Sequence, residues 1–176
     1  LAAAFSGITT HTGDITLKAG VAATVAELKT INAATAGTIT LNSQTIAADF
    51  TTDTAADLAA AFTGITSHTG NITLKEGVAA TVAELKTINA ATVGTITLNT
   101  ETKAADFTTD TAADLAAAFT GITSHTGNIT LKEGVAATVA ELKTINAATV
   151  GTITLNTETK AADFTTDTAA DLAAAF

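Results

Sequence analysis

Residues 71–98, NITLKEGVAATVAELKTINAATVGTITL, decide how this chain folds. Each end is a short run in which polar residues alternate with isoleucine or leucine, Asn71-Ile72-Thr73-Leu74 and Thr95-Ile96-Thr97-Leu98. That alternation, rich in β-branched residues, is the period of a half-buried strand. Between the runs, Thr81-Val82-Ala83-Glu84 has the spacing at which a threonine hydroxyl caps a first helical turn and a carboxylate reaches back to the cap. Val82, Leu85 and Ile88 then recur at spacings of three, which predicts one apolar helical stripe. Asn89-Ala90-Ala91-Thr92, followed by Val93-Gly94, ends it. Strand, helix and strand joined by short connections predict parallel pairing and a right-handed crossover.

Working outward, the stretch belongs to a unit of 57 residues: residues 63–119 and 120–176 are identical. Residues 6–62 are a third copy with eight differences: Ser6/Thr63, Thr10/Ser67, Asp14/Asn71, Ala19/Glu76, Ala36/Val93, Ser43/Thr100, Gln44/Glu101 and Ile46/Lys103. None touches the Leu, Val, Ile or Phe stripes, so most are expected in loops flanking strands. Residues 1–5 (LAAAF) read as the tail of a preceding repeat, and the whole as a window on a longer array. A second helix signature, Thr111-Ala112-Ala113-Asp114, leads Leu115, Ala118, Phe119 and Ile122, with Gly121 placed to end the helix. Equivalent strand positions are 24 residues apart from Ile72 to Ile96, and 33 from Ile96 to Ile129. The longer interval contains residues 102–108, where Ala105 and Phe107 alternate with polar neighbours, predicting an extra extended corner facing the core. The expected architecture is therefore a right-handed α/β solenoid: a continuous parallel β-sheet, two strand–helix units per repeat, and one fragment spanning 1–5, 6–62, 63–119 and 120–176. Inward residues would stack on their own counterparts from copy to copy.

Composition narrows the function classes. Pro, Cys, Met, Trp and Tyr are absent, the formal charge is −9, and the eight lysines form no run. This excludes thiolate metal sites and disulfides, and it disfavours nucleic acid and anionic membranes, which need clustered cations. No apolar run reaches the ~20 residues of a membrane span.

Candidates for chemistry are few. His11, His68 and His125 recur once per copy before Thr-Gly and read as surface or turn histidines; no nucleophile accompanies them in all copies. Asp106, Asp110 and Asp114 fall at spacings of four and are the weak candidates for Ca²⁺. They lack a D-x-D-x-D-G loop, and capping at a helix N-terminus accounts for Asp110 and Asp114. Asn71-Ile72-Thr73 and Asn128-Ile129-Thr130 match the glycosylation sequon, but copy one has Asp14 there, so a strand role is the better reading. No phosphate loop, zinc helix, nucleophile elbow or dinucleotide loop is present. No cofactor is expected. If the strand Ile and Leu face the helices, then Thr73, Thr95, Thr97, Thr130, Thr152 and Thr154 form a polar sheet face, a possible docking face for another copy or a polymer.

The segments Ile72–Leu74, Ala80–Thr92 and Asp110–Ile122 together resemble the Ala/Thr-rich strand–helix repeats of very long cell-surface proteins of cyanobacteria and other aquatic bacteria. The resemblance implies an extracellular or cell-surface location and a sheath, filament or adhesin role, and it names no binding residue. The expected function is a non-catalytic structural repeat forming a rigid rod, filament or surface layer, with self-association as its main interaction. The alternative is an adhesin module that binds polysaccharide or Ca²⁺ through the threonine face or the acidic loops.

Overall fold

A computed structural model describes residues 1–176, which fall into two compact units. The first comprises residues 1–75 with 87–97, and the second 76–86 with 98–176.

In the first unit, α1 (Ala2–Phe5) precedes β1 (Ile15–Thr16), α2 (Val25–Ala34), β2 (Ile39–Thr40), α3 (Ser43–Ile46), α4 (Ala55–Phe62) and β3 (Ile72–Thr73). Helix α5 (Val82–Ala91) has its C-terminal half here and leads into β4 (Ile96–Thr97). Helix α2 starts where the sequence predicts. The Thr24 hydroxyl accepts the Glu27 N–H at 3.2 Å while the Glu27 carboxylate accepts the Thr24 N–H at 2.9 Å. The pair forms a complete capping box. Leu28, Ile31, Leu58, Ala61 and Phe62 line the packed faces of α2 and α4 and are essentially inaccessible to water. Parallel pairing is also observed: Ile15 pairs with Ile39 and Ile72 with Ile96, each across the 24-residue connection.

The second unit repeats this plan with α6 (Thr100–Ala104), α7 (Ala112–Phe119), β5 (Ile129–Thr130), α8 (Val139–Ala148), β6 (Ile153–Thr154), α9 (Thr157–Lys160) and α10 (Ala169–Ala175). Leu115, Ala118, Phe119, Leu142 and Ile145 form its core, and α8 packs against both α7 and α10.

The expected continuous sheet, and with it the solenoid, is corrected. The strands are two residues long and form three separate two-stranded parallel sheets, β1–β2, β3–β4 and β5–β6, beside ten helices. The reason lies in the 33-residue connection. Asn42 caps a short helix there, its Oδ1 accepting the Thr45 N–H at 2.8 Å, and only a single-residue bridge from Phe50 to Ile72 follows before the next strand. The extended corner is likewise corrected in part. Residues 100–104 are helical, started by the same cap at Asn99, whereas Phe107 is extended, buried and bridged to Ile129. A full copy thus holds three helices, not two.

Candidate functional site

The most elaborate side-chain arrangement surrounds His68 and His125, and it corrects the reading of these two as surface residues. His68 is 1% exposed and His125 is 0% exposed. His68 lies in the first unit, where copy one meets copy two. Its ring stacks on Phe50 at 5.2 Å and tilts against Phe62 at 5.0 Å, both from the preceding copy. Its Nε2 lies 2.9 Å from the Ala48 carbonyl, and its Nδ1 lies 3.0 Å from the Thr92 hydroxyl. His125 repeats this in the second unit, with Phe107, Phe119, Ala105 and Thr149 in the same roles.

A carbonyl only accepts, so Nε2 carries a proton. In the neutral ring Nδ1 is then an acceptor for the Thr92 hydroxyl. That hydroxyl also lies 2.9 Å from the Gly70 carbonyl and accepts the Gly94 N–H at 2.9 Å. Its single proton is therefore divided between two acceptors. A proton on Nδ1 would resolve this by donating to Thr92 and freeing the hydroxyl for Gly70. Such a gain is worth about 1 kcal/mol. The opposing cost, a charge enclosed between two phenyl rings away from water, is several kcal/mol. Burial wins: it holds the His68 and His125 rings below the ordinary histidine range, although the Ala48 and Ala105 carbonyls and the Asp49 and Asp106 charges pull the other way.

Glycine is required beside this ring by close backbone approach. A Cβ on Gly70 would sit 2.0 Å from the Ala48 oxygen, and one on Gly94 would sit 2.1 Å from the Gly70 oxygen. Much of the rest of the joint is backbone, joined by the Asp49 carboxylate, which accepts the Asn71 N–H, and by the Thr69 hydroxyl, which donates to the Ile46 carbonyl. Thr69 and Gly70 N–H groups donate to the Ile46 carbonyl at 2.7 and 3.2 Å, and Thr73 and Lys75 donate to the Phe50 and Asp53 carbonyls. In the second unit Thr126 and Gly127 donate to the Lys103 carbonyl at 2.7 and 3.1 Å. Because only the carbonyl is used, the Ile46/Lys103 difference leaves the joint intact.

The acidic candidates are not brought together. Asp106 Oδ1 accepts the Asn128 N–H at 2.6 Å, and the Asp110 carbonyl accepts the Lys132 N–H. Asp114 pairs with Lys86 at 2.6 Å and takes the Thr111 hydroxyl at 2.8 Å; these bonds hold its carboxyl below the usual range. No group of three or more His, Cys, Asp or Glu side chains is placed to hold a metal ion. The sequon asparagines serve the strands: Asn71 Oδ1 accepts the Thr95 N–H at 3.0 Å, as Asp14 Oδ1 accepts the Thr38 N–H at 2.8 Å.

Of the docking-face threonines, Thr95, Thr97, Thr152 and Thr154 are exposed, while Thr73 and Thr130 are half-buried. Two buried groups escaped the sequence reading. Asn42 donates from Nδ2 to the Lys18 and Val21 carbonyls at 2.6 and 3.0 Å, and Thr45 takes the Ala23 N–H at 2.9 Å. Their signal was present as Asn-x-x-Thr after each second strand, the spacing of an asparagine cap.

Comparison with protein-family models, with curated proteins and with solved structures finds no match. No helix is long and apolar enough to cross a membrane.

Proposed function

We propose that the chain is a non-catalytic structural repeat of the cell surface or extracellular space, an element of a filament, sheath or surface layer whose partners are further copies of itself. The joint between copies carries this reading. It is built twice from the same kinds of atoms at matching distances, once around His68 and once around His125. An enzyme gathers unlike groups at one place; here the same groups recur at every joint, and their hydrogen bonds go to neighbouring backbone. Support for association comes from valines standing in water, with Val93 and Val150 each 84% exposed and Val78 and Val135 nearly 70%. The likeness of the repeats to those of long bacterial surface proteins points the same way.

The exposed hydroxyls of Thr95, Thr97, Thr152 and Thr154 favour a second reading, a polysaccharide-binding adhesin module. Electron microscopy of the purified protein tests the first. Filaments or lateral sheets are expected. Monodisperse particles that bind a polysaccharide, and lose that binding in Thr→Val variants of these four residues, would overturn it in favour of the second.

A further inference from the structure

We propose that His68 and His125 make the joints between copies proton-sensitive: the neutral ring closes each joint, and protonation loosens it. Of the aromatic and hydrogen-bonding partners of the ring, all but one come from the preceding copy. For His68 these are the Phe50 and Phe62 rings and the Ala48 carbonyl, and the exception is Thr92 of its own copy. The ring is therefore enclosed only while the two copies stay together, and separating them returns it to water. Enclosure and protonation exclude each other, which is the condition for linkage.

The groups facing the ring set the direction. Helix α4 presents Phe62, the end of α5 presents the Thr92 hydroxyl, and the segment between α3 and α4 presents Phe50, the Ala48 carbonyl and Asp49. Asp49 is the charged group that favours the imidazolium. Its carboxylate is exposed and accepts the Asn71 N–H at 2.7 Å, so it stands in water and does not enclose the proton. Asp106 stands in the same relation to His125, accepting from Asn128.

With the folded ring held below its unfolded value, the joint is fully stable above about pH 6.5, the ordinary histidine value. It weakens as pH falls below that, because the opened state takes up a proton that the closed state refuses. The carboxylates that anchor helix starts, Asp57 and Asp114, are held low by Lys29 and Lys86 and by their cap threonines, so they stay ionised across this window. Acid loosening between pH 7 and 5 thus belongs to the rings.

The test uses the whole chain. Histidine ring NMR should give titration midpoints below 6.5 for His68 and His125. Amide exchange at Thr69, Gly70, Thr126 and Gly127, the N–H groups that donate across the joints, should lose about tenfold protection between pH 7.5 and 5.0 after correction for intrinsic rates, roughly one decade per proton-linked pH unit. In the His68→Gln/His125→Gln double variant, which cannot take up the proton, that loss should vanish. Midpoints at or above 6.5, or joint protection that holds or rises on acidification, would overturn the proposal. So would an undiminished loss in the double variant. If the double variant does not fold, the wild-type ring titration decides alone.

Discussion

His11 and His68 stand in nearly the same words, Thr-His-Thr-Gly and Ser-His-Thr-Gly, and in different surroundings. Both reach the matching threonine through Nδ1, at 3.1 Å to Thr35 and 3.0 Å to Thr92. There the likeness ends. His11 is half-buried and meets one ring edge-on, Phe5 at 5.4 Å. His68 is enclosed by two phenyl rings and a carbonyl. The difference lies in what packs on the ring: Ala48, Phe50 and Phe62 of the preceding copy on His68, and the edge of Phe5 on His11. Local sequence sets the ring's reach to its threonine, and the neighbouring copy sets its burial.

The comparison can be broken or sharpened at three places. The largest effect is expected from Phe62→Ala, which empties a site 1% exposed and should cost about 3–5 kcal/mol in a denaturant melt. Phe5→Ala, at the half-buried counterpart, should cost less than half as much. Equal costs would mean the preceding copy adds nothing to the His68 enclosure. Next comes Gly70→Ala, whose methyl would meet the Ala48 backbone oxygen, with an expected loss of about 1–3 kcal/mol or more. At Gly13 the same methyl meets only the His11 ring, at 3.1 Å, and a side chain can move aside; Gly13→Ala should fall near zero. Smallest is Lys29→Ala. It removes an ion pair of 2.6 Å whose partners are each 40–50% exposed, and such pairs contribute about 0–1 kcal/mol. A larger loss would show that Asp57 needs the lysine to hold the start of α4.

What could be read in advance follows the same division between local and neighbouring information. The T-x-x-E and T-x-x-D helix starts, the stripes of Leu28 and Leu58, and the parallel partners Ile72 and Ile96 depend on residues close in sequence, and they stand where the spacing puts them. The sheet is not continuous because the 33-residue connection does not share the geometry of the 24-residue one. That longer connection has its own asparagine-capped helix and leaves only the Phe50 bridge. At residues 102–104 the alternation of Ala105 and Phe107 suggests extended chain, but the Asn99 cap prevails and the segment is helical. The histidine enclosure was illegible for a different reason. Only one of its walls, Phe62, lies close by, six residues back; Phe50, Ala48 and Thr92 lie 18 to 24 residues away in sequence, and nothing in Ser-His-Thr-Gly announces them.

The backbone character of the joint has one more consequence. Copy two meets copy one largely through carbonyls and N–H groups, with a histidine, two phenyl rings and one aspartate, and copy three meets copy two through the same set. Chemistry of this kind carries no address. A copy emerging during synthesis finds every earlier copy equally able to receive it, so wrong neighbours within one chain, or between two chains, compete with the right one on contact energy alone. Correct order must then come from proximity along the chain, because loop closure favours the nearest partner.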